Sequence, residues 1–490
     1  MKIALIFPNL RGEFSPTLGL TYLATALAQY HRVSIMDFTF HKKWWKKFLQ
    51  TQMRIFKPDI IGVSCFTFNF YDGLRIAQEV KKDHPDISII FGGIHPTLMP
   101  IETLKYDEID AVCIGEGEIT FPEYLNNIEK GISLKGVEGI WYKENGQIIK
   151  NKIRPLIEDL DSIPFPNWRF WNMDLYLKVP PHNNVIDMLG SRGCPYNCTY
   201  CSNHALRQIL PGKYLRFRSA ENIIEEIKQL KERYWRKGFR HIYFWDENFI
   251  LDKRIFNRFC QLYKEEGLHK EIIWTVNMRA DLITDDWAEK AKKAGCYQVR
   301  LGVETGSDYI RNVIYNKKIT NEQIKKSTHI LKKNDIMMRF NIMLGGPCET
   351  IETMKSSVRL VDELQPEIMF FAIFQPLPKT EILNTIKKIR GFVLEDQWKD
   401  NPDFWSKSLV KQPHLSQRFL ENFTRKTLLK YVWKFFWLGL RMRQLKFLKD
   451  LIVFFTKIKP KHHILTIYAS YHTIRNYQNE DWKIRNGITL

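Results

Sequence analysis

The chain has 490 residues, of which 44% are hydrophobic and 26% are charged, and this ordinary globular composition excludes disordered and collagen-like architectures. Lysine and arginine total 74 against 54 acidic residues, so the net charge is +20, which favours an anionic partner such as nucleic acid, lipid head groups or a phosphorylated substrate. The eight cysteines are too few for a disulfide scaffold, and three of them lie within eight residues. This pattern indicates a metal and a reducing, cytoplasmic compartment.

Residues 1–130 alternate strand and helix signals, as a doubly wound sheet does. The run Ile-Ile-Gly-Val at 60–63 is apolar without alternation, as expected of a parallel strand that is buried on both faces. Ligands of such sheets bind beyond the carboxyl ends of the strands. The predicted strands of this first domain are 2–7, 32–37, 60–65, 87–91 and 111–114.

Residues 131–185 contain five prolines and are predicted to form a linker with a small hairpin near 136–149. A second alternating series then occupies 186–384, and its six strands are too few for a closed eight-stranded barrel but sufficient for an open one. The region 385–490 is predicted to be helical, aromatic and basic. The predicted barrel strands are 185–189, 241–245, 272–277, 298–303, 337–344 and 368–374.

The strongest chemical signal is a cysteine triplet, Cys194, Cys198 and Cys201, on a loop that follows a predicted buried strand. Three thiolates can hold three irons of a cubane cluster and leave the fourth iron open, whereas four cysteines would close the site. A structural zinc ion is the alternative, and His204 would then be its fourth ligand, because zinc usually takes four.

This loop resembles the signature of the radical S-adenosylmethionine (radical SAM) superfamily, Cys-x-x-x-Cys-x-aromatic-Cys, in which Tyr200 fills the aromatic position. The resemblance covers 186–380 and implies a partial (β/α)6, TIM-like radical SAM barrel. It further implies that a 4Fe–4S cluster on the three cysteines binds S-adenosylmethionine at its open iron and cleaves it to a 5′-deoxyadenosyl radical. The expected electron donor is a flavodoxin or a ferredoxin.

Polar residues follow successive predicted barrel strands, at the end where such a barrel places its chemistry. Asp246 and Asn248 follow the second strand, like an acidic element of the superfamily, and Arg279 follows the third. Glu304 lies in a G-x-E-[ST]-G element after the fourth strand, and Asn341 lies in a glycine-rich segment at the fifth. We expect these residues to bind S-adenosylmethionine, with Glu304 facing its ammonium group and Arg279 facing its carboxylate.

The predicted ligand edge of the first domain has Ser64 after the third strand, Gly92 and Gly93 after the fourth, and Gly115 and Glu116 after the fifth. Paired glycines let a bulky planar ligand approach the backbone, and the absence of G-x-G-x-x-G disfavours a dinucleotide. A flavodoxin-like Rossmann sheet in front of a cysteine-triplet barrel resembles the cobalamin-binding branch of the superfamily. The resemblance implies that cobalamin lies between the sheet edge and the barrel mouth.

The cobalamin pattern Asp-x-His-x-x-Gly is missing from the loop after the first strand. The segment from Asp37 to His41 imitates it in part, but it follows the second strand and lacks the glycine. His41 is therefore predicted to be a surface histidine, and His95 a turn residue. The lower axial position of cobalamin is then expected to hold water or to stay open.

The segment 425–461 carries 11 lysines and arginines and one acidic residue. A cationic stripe with aromatic flanks is typical of a helix that lies on anionic lipid, so one interpretation is a peripheral contact with the inner face of the membrane. The alternative is a helix whose apolar side packs on the barrel while its lysines are solvated. Nucleic acid is disfavoured as a partner, because no recognisable RNA-binding module accompanies the charge.

From these features the sequence predicts a radical SAM enzyme that uses a 4Fe–4S cluster, S-adenosylmethionine and cobalamin to methylate an unactivated carbon of a lipid-like or other hydrophobic small molecule. One alternative keeps both metal cofactors without methyl transfer, for example in the oxidative cyclisation of a tetrapyrrole. Another is a non-catalytic cobalamin or iron–sulfur sensor.

Overall fold

A computed structural model describes residues 1–10, 15–178, 184–393 and 407–441. Sequence predictions for 11–14, 179–183, 394–406 and 442–490 lie outside the described residues, and they include most of the basic segment 425–461. The strands are β1 Lys2–Phe7, β2 Arg32–Asp37, β3 Ile60–Ser64, β4 Ser88–Gly92, β5 Ala111–Cys113, β6 Ile140–Glu144, β7 Gln147–Lys150, β8 Val185–Met188, β9 Ser191–Arg192, β10 Arg216–Phe217, β11 His241–Phe244, β12 Ile273–Met278, β13 Cys296–Glu304, β14 Met337–Leu344, β15 Ile368–Ile373, β16 Phe392–Val393 and β17 Val410–Lys411.

The α-helices alternate with these strands in both halves of the chain. They are α1 Leu18–Leu27, α2 Trp45–Phe56, α3 Phe70–Asp83, α4 Ile94–Leu98, α5 Pro100–Leu104, α6 Gly117–Glu129, α7 Met173–Tyr176, α8 Ser202–Ile209, α9 Ala220–Tyr234, α10 Lys253–Glu265, α11 Asp285–Lys293, α12 Asn321–Lys333, α13 Ile351–Leu364, α14 Ile382–Lys388 and α15 Gln417–Arg441.

The first sheet has the strand order β2-β1-β3-β4-β5, and these five strands are parallel. This is the flavodoxin-like order, in which the chain changes direction between β1 and β3 and ligands bind at the carboxyl edge. Gly62 fits the crowded centre of the sheet because a Cβ there would lie 2.9 Å from the side chains of Leu5 and Phe121. The predicted flavodoxin-like sheet is confirmed.

The predicted linker contributes to the first domain. The hairpin of β6 and β7 continues the sheet antiparallel to β5. The proline-rich part then packs over α1, where the Trp171 indole donates to Thr21 Oγ1 at 2.8 Å and the Tyr176 hydroxyl donates to Asp37 Oδ2 at 2.6 Å. Because large aromatic side chains, including fully buried Trp168, alternate with the prolines, the segment buries enough apolar surface to be ordered.

The second sheet has six parallel strands in the order β15-β14-β13-β12-β11-β8, so the predicted partial barrel is confirmed. Its outer face is sealed by helices, and residues such as Val299, Leu301 and Phe340 are fully buried there. Helix α15 covers the edge strand β15, with the rings of Tyr431 and Phe371 stacked at 5.7 Å. No helix in the described ranges is long and apolar enough to cross a membrane.

The described part of the basic tail follows the packing alternative. Leu428 and Tyr431 are buried, and Lys430 forms an ion pair with Asp362 at the end of α13. This end of α15 therefore presents its apolar side to the barrel. Most of the segment 425–461 lies beyond residue 441 and outside the described residues, so the membrane interpretation stays a prediction.

Candidate active site

The cysteine loop connects β9 to α8, and its three cysteines form no disulfide. Cys198 is buried, while Cys194 and Cys201 are half-buried. Burial raises the pKa of Cys201 to about 12, and the nearby sulfurs of Cys198 and Cys194 contribute to the increase. The backbone N–H of Tyr196 donates to Cys194, and that of Asn203 donates to Cys201. Converging thiols with N–H donors are the environment that an iron–sulfur cluster uses.

The arrangement does not suit the zinc alternative. No group of three or more Cys, His, Asp or Glu side chains within 1–10, 15–178, 184–393 and 407–441 is placed to hold one metal ion. A cubane cluster takes each thiolate on a different iron, so its ligands do not meet at one point, whereas zinc needs them around a single centre. His204 lies 3.8 Å from the Glu381 carboxylate and 3.2 Å from the Gln208 amide, so its ring nitrogens already have polar neighbours.

The acidic element after β11 contacts the cysteine loop and the strand that precedes it. Asp246 is fully buried, accepts a hydrogen bond from the Gly190 N–H at 2.9 Å and is also bonded to the Ser191 hydroxyl. Burial raises the pKa of Asp246 to about 7. The side-chain amide of Asn248 lies 3.7 Å from Cys194 Sγ, and its oxygen accepts the Arg279 N–H at 3.0 Å. Asn248 therefore adjoins a predicted cluster ligand, while Asp246 fixes the strand that leads to the loop.

Glu304, the last residue of β13, lies next to Tyr200, the aromatic residue of the cysteine motif. Its Oε1 accepts the Tyr200 hydroxyl at 3.0 Å and pairs with Lys317 Nζ at 2.7 Å. The three groups are enclosed, and Glu304 has a φ of 65°, a strained conformation for a residue with a side chain. Strain of this kind is found where the surrounding structure holds a functional side chain in place.

The predicted role of Arg279 does not agree with its surroundings. Its guanidinium makes two hydrogen bonds to Asp281, at 3.1 and 3.0 Å, donates to the Lys317 carbonyl at 2.8 Å and lies 3.7 Å from the centre of the Tyr196 ring. The charge is thus already balanced by the neighbouring carboxylate. Lys317 is the buried cation beside Glu304, and the sequence analysis missed it because lysines are common on protein surfaces.

Asn341 lies on the inner face of the barrel, where its side-chain oxygen accepts Arg339 Nε at 3.1 Å. It is the register partner of Gly302 on the neighbouring strand. The structure therefore places Asn341 in the barrel lumen, on the strand that leads to the predicted glycine-rich turn.

The predicted glycines of the first domain differ in what surrounds them. Gly93 has a φ of 94°, and a Cβ there would lie 2.7 Å from the Cys65 carbonyl, so its own turn requires glycine. Gly115 has a φ of 83° and adjoins Leu210 of the barrel domain. Gly92 is the register partner of Ser64, and a Cβ on Gly92 would make only ordinary contacts. The backbone conformation therefore favours glycine at Gly93 and Gly115, but not at Gly92.

An apolar surface adjoins this edge. Phe66 and Phe68 follow β3 directly, and their rings are parallel with centroids 5.3 Å apart. The two residues are 38% and 42% exposed. Paired, exposed aromatic rings at the ligand edge of a flavodoxin-like sheet fit a large, flat ligand such as a corrin ring. The sequence analysis did not select them, because isolated aromatics are common on protein surfaces.

Glu116 contacts the barrel domain. Its carboxylate accepts hydrogen bonds from Arg192 at 2.7 Å, from Arg216 at 3.0 and 2.8 Å, and from the Ile157 N–H at 2.8 Å. Glu118 pairs with the other arm of Arg192 at 2.6 Å. Burial tends to raise the pKa of Glu116, but the two arginines outweigh it, so the pKa lies below its ordinary value.

The two histidines do not approach a common ligand site. His41 is exposed and stacks on Phe48 with centroids 4.1 Å apart. His95 is buried beside Phe70, where burial lowers its pKa to about 4, and its Nδ1 lies 3.3 Å from Thr67 Oγ1. His41 lies on the surface, as the sequence analysis expects, whereas the turn predicted at His95 is the short helix α4. The identity of the lower axial group stays a prediction.

Comparison with known proteins identifies both halves of the chain. Residues 10–125 match the B12 binding domain family, and residues 188–361 match the Radical SAM superfamily. The chain is also 33% identical over 390 residues to an uncharacterized methyltransferase, PH0819, of Pyrococcus horikoshii, with 78% of this chain and 82% of the relative covered.

The chain belongs to the B12-binding radical SAM family. It is therefore an enzyme whose cofactors are a 4Fe–4S cluster, S-adenosylmethionine and cobalamin. Another relative is the anaerobic magnesium-protoporphyrin IX monomethyl ester cyclase of Rubrivivax gelatinosus, 29% identical over 347 residues, which are 69% of this chain and 60% of the cyclase. The solved structure of the cobalamin-dependent radical enzyme OxsB shares the fold, with a TM-score of 0.65, 18% identity, and 99% of this chain and 72% of OxsB covered.

The residues present fit these cofactors. The free thiols of Cys194, Cys198 and Cys201, with their N–H donors, would hold the cluster. The paired rings of Phe66 and Phe68 offer apolar area at the cobalamin edge. The buried pair of Glu304 and Lys317 supplies one anion and one cation near the cysteine loop, which a zwitterionic cosubstrate needs.

Proposed function

We propose that this enzyme is a methyltransferase that adds a methyl group to an unactivated carbon of a hydrophobic small molecule. The observation that supports this proposal is the contact between the two ligand edges. Arg192, two residues before Cys194, pairs with Glu116, which follows β5, and with Glu118 in the first turn of α6. The cysteine loop and the predicted cobalamin edge are therefore held next to each other, as the transfer of a methyl group between the two cofactor regions requires.

The cofactors, when bound, supply a carbon radical and a methyl group carried on cobalt, and the protein supplies binding and orientation. The hydroxyl of Tyr200 and the ammonium of Lys317 hold the Glu304 carboxylate in one position. We assign Glu304 to the ammonium group of S-adenosylmethionine, and Lys317, which already pairs with Glu304, to the orientation of that carboxylate. Arg279 instead links Asp281 to the wall of the cysteine loop through Tyr196.

A second function is favoured by one of the relatives. The magnesium-protoporphyrin cyclase closes a ring, as its name states, and its similarity covers 69% of this chain. An enzyme of this second kind would use the same cofactor sites without transferring a methyl group. The PH0819 relative, named as a methyltransferase, has the higher identity and coverage, which is why methyl transfer is our first proposal.

The test is an anaerobic assay of the reconstituted holoenzyme with S-adenosylmethionine whose methyl group carries deuterium, and with dithionite, flavodoxin or ferredoxin as reductant. Methylation predicts a product with the deuterated methyl group, together with S-adenosylhomocysteine and 5′-deoxyadenosine. Deoxyadenosine with an unmethylated, oxidised product would support the cyclase alternative. The absence of deoxyadenosine would contradict both and favour a sensor, and Cys198→Ser serves as the cluster-free control.

A lipid-like substrate, and a peripheral membrane contact through 425–461, belong to the same proposal. The support is the net charge of +10 in that segment, since basic segments bind anionic lipid surfaces. Flotation of the full chain with vesicles of phosphatidylserine and phosphatidylcholine tests the contact. Binding that is equal on purely neutral vesicles would contradict the electrostatic argument.

A further inference from the structure

Helix α2 and the turn before it form a strongly basic surface on the first domain. The segment 41–58 contains six lysines and arginines and no acidic residue, which gives it a net charge of +6. Two of the lysines lie in the first turn of α2, where cations oppose the helix dipole and lower the stability of the helix. The stability of α2 therefore does not account for this concentration of charge. Five of the six residues are exposed. The six are Lys42, Lys43, Lys46, Lys47, Arg54 and Lys57.

The outer face of α2 also carries exposed apolar side chains. Trp44, which directly precedes α2, is 67% exposed, and Ile55 near the end of the helix is 70% exposed. Phe48 lies four residues after Trp44 and seven before Ile55, so the three side chains share one face of the helix. The inner face consists of other residues, such as Leu49 and Met53, which are buried in one core with the strands of the sheet. Helix α2 thus has apolar residues on two faces, and the outer face is exposed to solvent.

A shallow cavity of about 430 Å³ lies on this outer face. The rings of His41 and Phe48 are stacked with centroids 4.1 Å apart and form part of its wall. The side chain of Lys47 also lines it, so a largely aromatic depression adjoins an ammonium group. Such a depression suits a ligand that combines an apolar chain with an anionic head group. The lining residues are His41, Trp44, Lys47, Phe48 and Thr51.

The lysines of this surface lie beside tryptophan rings. Lys43 Nζ is 5.3 Å from the centre of the Trp44 ring, and Lys46 Nζ is 5.5 Å from that of Trp45. Lys46 also pairs with Glu79 of α3 at 3.1 Å, so its charge is balanced within the domain. Lysine next to exposed tryptophan is typical of helices that lie in the interface between a membrane and water.

Three kinds of anionic macromolecule would complement this charge: nucleic acid, an acidic protein and a lipid surface. The exposed aliphatic side chain of Ile55 disfavours nucleic acid, because it offers no ring on which a base could stack. Interfaces between proteins are depleted of lysine at their centres, whereas here the lysines lie directly beside the exposed apolar residues. A lipid surface uses both features at once, since head groups bind the lysines and acyl chains cover the apolar side chains.

We propose that the outer face of α2 lies on an anionic lipid surface, with Trp44 and Ile55 among the head groups and Lys43 and Lys47 facing the lipid anions. This surface is separate from the segment 425–461, and the contact goes beyond methyl transfer. The turn 38–44 follows the carboxyl end of β2, at the ligand edge of the first sheet. The contact therefore holds that edge near the lipid. Access to a lipid-like substrate is a consequence that rests on the proposed function, whereas the contact itself does not.

The test is flotation of the full-length, cobalamin-loaded protein with two kinds of vesicle, one of pure phosphatidylcholine and one in which a third of the lipid is phosphatidylserine. We expect Lys43→Gln/Lys47→Gln to bind the anionic vesicles at least tenfold more weakly than the wild type, because each lysine near an anionic surface contributes to binding. The matched control is Lys130→Gln/Lys135→Gln. It removes the same charge from exposed positions at and after the end of α6, which packs on the opposite face of the sheet, and should change the affinity less than threefold.

Two single variants test the apolar contribution. Trp44→Ala and Ile55→Ala should each weaken binding to the anionic vesicles, whereas Ile128→Ala, at an exposed position on α6, should not. Thermal unfolding and cobalamin retention check the fold of every variant. Removing lysines that oppose the helix dipole should not lower the melting temperature. If the double variant does not retain cobalamin, Lys43→Gln and Lys47→Gln replace it as single variants, each expected to weaken binding.

The outcomes that contradict the proposal are distinct. Equal losses in the two double variants would show that binding reflects only the net charge of the chain. Unchanged binding in the α2 variants would assign any membrane contact to the basic tail alone. Binding of a uridine oligonucleotide or of a flavodoxin that depends on Lys43 and Lys47, without binding to vesicles, would identify another class of partner. Because none of these measurements requires turnover, they test the α2 contact whether or not a methylated product is found.

Discussion

Replacing Glu116 by Gln should weaken the contact between the two domains, without reducing the affinity for cobalamin. The Glu116 carboxylate faces the guanidinium groups of Arg192 and Arg216 and the Ile157 N–H, so its hydrogen-bonding capacity is used by the barrel domain and the linker. The side chain of Arg216 is nearly inaccessible to solvent. The variant therefore leaves a buried cation with a neutral partner.

The expected loss of stability follows from these contacts. Removing one partner of a buried ion pair costs about 3–5 kcal/mol, and a hydrogen bond to a charged group contributes about 1.5–3 kcal/mol. Gln keeps one acceptor oxygen, and Glu118 still neutralises Arg192, so we expect a loss of about 3 kcal/mol. Because the pKa of Glu116 lies below its ordinary value in the folded protein, its contribution is present above the unfolded pKa and is lost as the pH falls through the folded pKa.

Calorimetry of Glu116→Gln, Arg216→Gln and the double variant gives the coupling energy of the pair, and equilibrium dialysis gives the affinity for cobalamin. The control is Glu123→Gln, which removes the charge partner of Arg154 in a more exposed pair within the first domain and its linker and should cost less than about 1 kcal/mol. A tenfold loss of cobalamin affinity with unchanged unfolding transitions would refute the interface role and restore the role that the sequence predicts for Glu116.

Three further changes test the barrel. Asn248→Ala removes the amide next to Cys194 Sγ, so an EPR-monitored titration should show a lower cluster potential, and an unchanged potential would contradict the contact. Burial raises the pKa of Glu349 to about 7, whereas the unfolded carboxyl ionises at ~4.3. The free energy of unfolding that this group contributes therefore falls as the pH rises between these two values. In Glu349→Gln, the free energy of unfolding measured in urea should depend less on pH over that range. Gly346→Ala places a Cβ 1.8 Å from Tyr315 Oη and should lower the melting temperature. Adding Tyr315→Phe removes that buried hydroxyl, which has no partner among the described residues, and should restore part of the loss. If it restores nothing, the clash lies elsewhere.

The alternating pattern of the sequence predicts the fold well, because parallel strands that are buried on both faces carry a strong signal. β14 has the predicted bounds, and β3 differs from its prediction by one residue. The linker is where the pattern fails. Prolines indicate a connector, but the indole of Trp171 and the ring of Tyr176 bury against the first domain, and tertiary packing of this kind leaves no periodic signal in a short segment.

The candidate site is predictable where it depends on neighbours along the chain, and unpredictable where it depends on contacts across the fold. The cysteine spacing and Tyr200 are local features, and the structure brings Glu304 to them. The role of Arg279 is different, because Asp281 neutralises it two residues away. Strand-end position alone cannot reveal whether a charged residue faces a ligand or a partner from its own chain.

The same limit explains why the link between the two cofactor regions has no counterpart in the sequence. Gly193 has a φ of 92°, and a Cβ there would lie 2.2 Å from the Tyr214 carbonyl, so the segment before Cys194 is pressed against the strand that carries Arg216. Arg192 and Arg216 both bind Glu116 of the first domain. Arg192 thus links the loop of that domain to Cys194, the predicted cluster ligand two residues further along the chain. Because the pairing joins residues about a hundred positions apart, only the folded chain shows that the cobalamin edge and the cysteine loop are positioned by one set of contacts.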